Sequence, residues 1–261
     1  MTDRVIETRE GGVLSLTLNR PDKRNAIDRW MLEDFIAALR RADEDRRVRA
    51  VLLCGAGRHF CAGLDREDER GGEDFARACG QLALRAVVSL GKPVVAAVQG
   101  TCAGLGAAIA LACDVRVMGE DGSLDPAGSD ALVAEGGMSW FLVRSLGYGR
   151  AFDVLTRRDH LSALRCLELG LISEAVPHAR LMVTATETAH ALSALPAQGV
   201  ACLKAALREA SSASLMEAVG ADAHWRHQER GAVELLTSNL PGPLARPRRL
   251  AYAWHEEGVS A

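Results

Sequence analysis

From residue 5 to residue 18 apolar and polar positions alternate, most clearly in V-L-S-L-T-L at 13 to 18, with a turn at Glu10-Gly11-Gly12. A period of two marks a half-buried strand, so this segment predicts a β-hairpin. The rhythm breaks in N-R-P-D-K-R-N-A-I at 19 to 27, polar and proline-bearing, which predicts a loop. Asp28 can cap a helix to about Asp43, because Met31, Phe35, Leu39 and Ala42 recur at helical spacing. The run V-R-A-V-L-L-C at 48 to 54 then reads as a buried strand, leading into a glycine-bearing loop, G-A-G-R-H-F-C-A-G-L-D-R, at 55 to 66. A helix is predicted from Glu73 to Leu90, with Phe75, Cys79, Leu82, Val87 and Leu90 on its packed face.

Between Lys92 and Asp114 no charge interrupts twenty-one residues, 93 to 113. That is enough for a bilayer crossing, which takes about 20 residues. The run is nonetheless divided: β-branched Val94, Val95 and Val98 come first, Gly100, Gly104 and Gly106 follow, and an Ala/Leu-rich end of high helix propensity closes it. It therefore predicts strand, turn and helix inside a globular layer. A helix starting near Gly106 leaves its first amides unpartnered and gathers about half a positive charge there, so the N–H groups of Leu105 and Gly106 can hold a negative oxygen. Gly104 and Gly106 let a ligand approach that backbone closely.

The same glycines also suit simple tight packing, and their spacing, G-x-x-x-G-x-G, fits short-chain dehydrogenases. The dehydrogenase reading fails twice. That fingerprint normally opens the first strand–turn–helix of its domain, and the required Tyr four residues before a Lys is missing: Tyr148 is followed at that spacing by Phe152, and Tyr252 by Glu256.

Beyond this stretch D-V-R-V-M at 114 to 118 predicts a short strand, 119 to 135 an irregular segment, and 136 to 146 a helix. Strands alternating with helices predict an α/β fold with mainly parallel strands. From Ala151 the pattern is helix after helix, at 161–172, 183–195, 199–210 and 215–236. We place a core in residues 1–195 and a helical C-terminal region, suited to covering that core or a neighbouring subunit, in 196–261. The basic, proline-rich tail at 241 to 254 is most simply solvated.

Composition narrows the function classes. With 261 residues and 48% apolar content the chain can build a sizeable core. A formal charge of −3 gives no basic excess for broad nucleic-acid binding. No cationic leader precedes an apolar segment, so no signal peptide is expected. The seven cysteines, at 54, 61, 79, 102, 113, 166 and 202, never fall at zinc or redox-pair spacing and fit reduced thiols in a cytoplasmic protein. His224 and His227 lie three apart without a third ligand in view, so they read as surface residues and no metal is expected.

Five segments, in order, carry a resemblance: N-R-P-D-K-R-N-A at 19–26, H-F-C-A-G-L-D at 59–65, K-P-V-V-A-A-V-Q-G at 92–100, G-L-G-A-A-I-A-L-A-C-D at 104–114 and L-S-A-L-R-C-L-E-L-G-L-I at 161–172. Together they resemble the crotonase superfamily, the enoyl-CoA hydratase/isomerase proteins, over roughly residues 3 to 180. The resemblance implies a crotonase-like core of repeated ββα units, a helical C-terminal region that forms trimers or hexamers, and acyl-CoA thioester substrates. Coenzyme A is then part of the substrate, with no separate cofactor. It also implies an oxyanion hole of two backbone N–H groups, falling here on Leu64 and Leu105. Such donors stabilise the enolate oxygen of a thioester by about 3–4 kcal/mol each in a dry site. CoA contacts are implied along Lys23, Arg24, Asn25 and Ala26 and along the segment before Leu64, including Ala62, with Asp65 and Gly104 beside the two donors. A cation beside a phosphate is sound point-charge pairing.

Two positions depart from the family pattern. Its hydratases use two glutamates, which fall here on Ala108 and, aligning on Pro126, on Ala127. Neither alanine can transfer a proton, which argues against two-glutamate hydration. An acid remains in E-G-G-M-S-W-F-L-V-R-S-L-G at 135 to 147, similar to the segment in which isomerase-type members carry an Asp at its first position. Glu135 would take that role, and one base in an apolar pocket suffices to move a proton between two carbons. It could instead serve the dipole of the following helix. Asp130 and Asp65 are lesser candidates, as is the carboxylate nucleophile of the dehalogenase branch, which has a Trp where this chain has Ala127. His59 and Cys61 could line the pocket, but a Cys nucleophile wants a His-paired thiolate. The expectation is an enoyl-CoA isomerase, with a hydratase-like or decarboxylating member, or a non-catalytic CoA-ester binder, as alternatives.

Overall fold

The computed structural model describes residues 3–65, 72–127, 136–158 and 160–237. The predicted hairpin is β1 (Val5–Glu10) and β2 (Val13–Leu18), paired antiparallel with Val5 opposite Leu18. Helix α1 (Arg29–Glu44) follows, then β3 (Ala50–Gly55), α2 (Gly72–Ser89) and β4 (Val94–Val98). The chain next leaves for a second sheet with β5 (Thr101–Ala103), turns into α3 (Leu105–Ala112), and returns to the first with β6 (Val115–Gly119). Short strands β7 (Ser123–Asp125), β8 (Leu161–Ser162) and β9 (Glu174–Val176) are interleaved with helices α4 (Met138–Leu146), α5 (Tyr148–Arg157) and α6 (Ala163–Glu168). Helices α7 (Leu181–Ser193), α8 (Ala197–Ala210) and α9 (Leu215–Thr237) complete the described chain.

The main sheet has the order β1-β2-β3-β4-β6-β9 and is parallel from β2 onward, as the alternating pattern predicts. A parallel sheet must be covered on both faces. Accordingly β3 sends Val51 and Leu53 into one core and Ala50 and Leu52 into the other. On the first side lie α1, α2 and α3; on the second, Leu181, Ala185 and Ala189 of α7 pack at helical spacing against Leu52, Val95 and Val117. The smaller sheet, β5-β7-β8, sits beyond the carboxyl ends of β3 and β4.

Asp28 caps α1 through its side chain, which accepts from Met31 N at 2.7 Å, and the predicted stripe of Met31, Phe35, Leu39 and Ala42 is buried. On α2 Ala83 and Val87 are buried, as is Leu90 just beyond its end; Leu82, expected to pack, is 52% exposed. Small residues, Gly80 and Ala83, hold the packed positions there, so side-chain size misdirects the reading. Phe75 and Cys79 have side chains outside the described residues. Strands β5, β7, β8 and β9, two or three residues each, escape any test of alternation. Helix α4 starts two residues later than predicted because Gly136 and Gly137 both have positive φ, at 64° and 69°, and cannot join a right-handed helix. Among the described residues no helix is long and apolar enough to cross a membrane.

Phe35 is 2% exposed on the core face of α1. Phe35→Ala is expected to lower unfolding free energy by about 3–5 kcal/mol, read from urea denaturation; a loss below 1 kcal/mol would contradict this packing.

Candidate active site

Three loops leave the carboxyl ends of β2, β3 and β4 and meet at one end of the sheet, where open α/β sheets generally bind their ligands. Two buried polar side chains knit them. Asn25, fully buried with φ 56°, donates to the carbonyls of Ala56 (2.9 Å) and His59 (2.7 Å) and accepts from Arg20 N (2.9 Å). Gln99, 6% exposed, donates to the Gly55 carbonyl at 2.7 Å. Main-chain bonds finish the join: Phe60 N to Gln99 O, Cys61 N to Thr101 O, and Ala103 N to Cys61 O.

The segment 61–65 changes direction at Gly63. In a regular strand successive residues bond to alternate sides. Cys61 bonds to β5, and Ala62 N bonds to Arg24 O (3.0 Å) on the other side. Gly63 should turn back to β5, yet its carbonyl accepts from Ile27 N (2.7 Å), while Asp65 N donates to Ile27 O (2.9 Å). The Gly63 φ of 99° makes this possible, a value that side-chain-bearing residues rarely adopt.

The resulting parallel bridge joins Ile27 to the two neighbours of Leu64, so the N–H of Leu64 itself points away from Ile27. On the opposite side lies the start of α3: a β-carbon at Gly63 would sit 3.5 Å from Leu105 N. Leu105 is the first residue of α3, behind Gly104 (φ 50°), and its N–H is one of the amides a helix leaves over. Among the described residues neither the Leu64 nor the Leu105 amide donates to a protein acceptor. Gly106 is needed where it stands, because a β-carbon there would lie 2.6 Å from the Cys61 carbonyl oxygen. Two neighbouring unpaired donors, one at a helix N-terminus, suit an oxygen that carries negative charge.

The sequence pattern of enoyl-CoA hydratase/isomerase proteins matches residues 8–232. The chain belongs to this family. It is 32% identical to the 1,2-epoxyphenylacetyl-CoA isomerase of Escherichia coli, with 82% of this chain and 86% of that one aligned. To the enoyl-CoA hydratase EchA19 of Mycobacterium tuberculosis it is 34% identical, over 79% of this chain and 80% of the relative. The crystal structure of an enoyl-CoA hydratase from Bacillus anthracis superposes with a TM-score of 0.83 at 26% identity, covering 90% of this chain and 95% of the other. The crotonase fold is thereby established, and the family match runs beyond residue 180, where the sequence motifs end.

Within this enoyl-CoA hydratase/isomerase frame the expected residues fall as follows. Lys23 ends a 3-10 turn, Pro21–Lys23, and exposed Arg24 follows with φ 51°. Ala26 is buried, with its carbonyl accepting from Arg20 Nη1 at 2.6 Å. Ala62 lies beside Arg24 through the bond already described, and Gly104 N donates to Asp125 O at 3.1 Å. The Asp65 carboxylate pairs with Arg20 at 2.7 Å, and its amide donates to Ile27 O.

Ala108 and Ala127 are both buried, at 0% and 7% exposed. Glu135 and Asp130 lie outside the described residues. Gly136, next to Glu135 in the chain, packs against Ala108 and Leu105: a β-carbon there would lie 3.1 Å from Ala108 Cβ and 3.3 Å from Leu105 Cδ1.

Burial pushes the Cys61 thiol up to about 12, and no sulfur nucleophile forms at neutral pH. His59 Nδ1 instead accepts from Thr101 N at 3.1 Å. His224 and His227 are exposed on α9, and among the described residues no three ligating side chains converge on a metal site. Arg20 is what the sequence reading missed, since an arginine in a polar loop looks like a solvated charge.

Gly63→Ala forces a side chain into the 99° conformation and 3.1 Å from the Ala103 carbonyl oxygen. A loss of about 1–3 kcal/mol is expected in chemical denaturation; an unchanged midpoint would show that the turn does not need glycine.

Proposed function

We propose that this family member is an enoyl-CoA double-bond isomerase. Glu135 removes a proton from C2 of a 3-enoyl thioester. The electron pair moves into the carbonyl, whose oxygen gathers charge between the amides of Leu64 and Leu105. The same proton then returns to C4, giving the 2-enoyl thioester without adding water. Each main-chain donor contributes about 3–4 kcal/mol to the enolate-like transition state. Lys23 and Arg24 lie on the loop suited to the CoA phosphates, and Ala26, Ala62, Asp65 and Gly104 line the path through main-chain groups.

The observation that carries this reading over hydration is the seat of Gly136. It packs on Ala108, the position that the resemblance gives to a hydratase glutamate, and against Leu105, and Glu135 directly precedes it in the sequence. With alanines at 108 and 127, the resemblance leaves Glu135 as the acid for this role. Six described cysteines are free and buried, in keeping with a cytoplasmic protein.

The test offers 3-enoyl-, 2-enoyl- and malonyl-type CoA esters and follows products by absorbance and mass. Conversion of 3-enoyl to 2-enoyl ester is expected, falling about 100-fold or more in Glu135→Gln with ester binding retained. Turnover at the wild-type rate in that variant removes Glu135 from the mechanism, and tight binding with no turnover of any ester identifies a binding protein instead.

We also infer a homotrimer or hexamer. Leu203 and Leu207 of α8 and Leu215, Met216 and Val219 of α9 are all more than half exposed, and Leu203 and Val219 line a groove of about 870 Å³ between the two helices. Light scattering should give three or six times the 27.9 kDa chain mass, and a smaller species for Leu207→Asp; a monomeric wild type would refute the assembly.

A further inference from the structure

Arg20 and Asp65 form an ion pair whose side chains are each only 9% exposed, with Nη2 and Oδ2 2.7 Å apart. The same guanidinium donates through Nη1 to the Ala26 carbonyl (2.6 Å) and places Nε 3.3 Å from Oδ2 of Asp28, the residue that caps α1. The Arg20 amide in turn is held by Asn25. One side chain thus fastens the 20–28 loop, the start of α1 and the residue that follows Leu64.

The two main-chain bonds from Ile27 to Gly63 and Asp65 form an isolated bridge, without neighbouring rungs to share strain. A carboxylate so little exposed needs a cation or it turns toward water. If Asp65 turned, the peptide plane next to Leu64 would turn with it. Charge-assisted bonds to a guanidinium are about twice as strong as neutral ones and fix direction as well as distance.

We propose that Arg20 is a positioning residue for the Leu64 amide: through Asp65 it sets the direction of that N–H and so the grip on the ligand's carbonyl oxygen. This rests on the reading of Leu64 and Leu105 as donors to that oxygen. Arg20 touches no reacting atom. The contribution is in orientation, which distinguishes it from the CoA contacts of the same loop.

Two ligands separate these roles. A 3-ketoacyl-CoA carries a negative oxygen as its enolate, whereas an S-alkyl-CoA thioether has the same nucleotide portion and no carbonyl oxygen. Isothermal titration of wild type, Asp65→Asn and Arg20→Lys with both is the experiment; both replacements are close in size to the originals, and thioether affinity reports an intact CoA site. The wild type should prefer the ketoacyl ligand. The variants should lose about tenfold or more of ketoacyl affinity while thioether affinity stays within about twofold. Equal losses for both ligands, or no loss for either, overturn the proposal while leaving the donor reading intact. A wild type with no preference for the ketoacyl ligand overturns the donor reading itself, and the proposal with it.

Discussion

The peptide of Leu64 is bracketed on one side and left open on the other. Ile27 holds the carbonyl before it and the amide after it, so the Leu64 N–H has nowhere to turn but toward the first turn of α3. The surrounding structure maintains that condition. Gly63 supplies the one backbone conformation that reverses the strand, Gly106 lets α3 press onto Cys61, and Asn25 keeps the loop bearing Ile27 in place. A site built from main-chain donors asks little of side-chain chemistry and much of rigidity. This explains why polar residues as buried as Asn25 and Arg20 are tolerated: each is bonded to the loops that it joins.

Much of this could be read from the chain alone, for identifiable reasons. The uncharged run from 93 to 113 declares a buried strand and helix because period, glycine placement and propensity agree there, and α1 declares itself through Asp28 and a clean apolar stripe. The second sheet did not, because three residues of β5 or β7 are paired by tertiary contacts and not by any local preference. On α2 Val87, and Leu90 just beyond it, were read correctly but Leu82 was not, for a related reason: where backbones approach closely, as at Gly80 and Ala83, the packed residues are small. The motifs pointed to Leu64 and Leu105, but nothing pointed to Arg20. Its charge is neutralised by Asp65, forty-five residues away, and nothing near it in the sequence reveals that pairing.

The alanine at 108, where the resemblance puts a hydratase glutamate, is closely enclosed. Ala108 is fully buried, and Gly136 has settled against it, close enough that even a β-carbon at 136 would lie 3.1 Å from Ala108 Cβ. A side chain at 136 would crowd both Ala108 and the Leu105 side chain. The Gly136–Gly137 turn, both of whose residues have positive φ, is thus seated on Ala108 with no room for a side chain at 136.

This coupling bears on how one scaffold carries several reactions. The two amide donors depend on Gly63, Ile27 and the start of α3, none of which touches the 136–137 turn through a hydrogen bond among the described residues. The hydrogen bonds that fix the donors are separate from that turn, although Gly136 packs against the Leu105 side chain. What changes is the direction from which a proton reaches the ligand and whether water has a base to activate it. In the reading proposed above, the alanine at 108 leaves no carboxylate there to activate water and the acid of the reaction is Glu135, so the chemistry differs while the same two amides serve the oxygen.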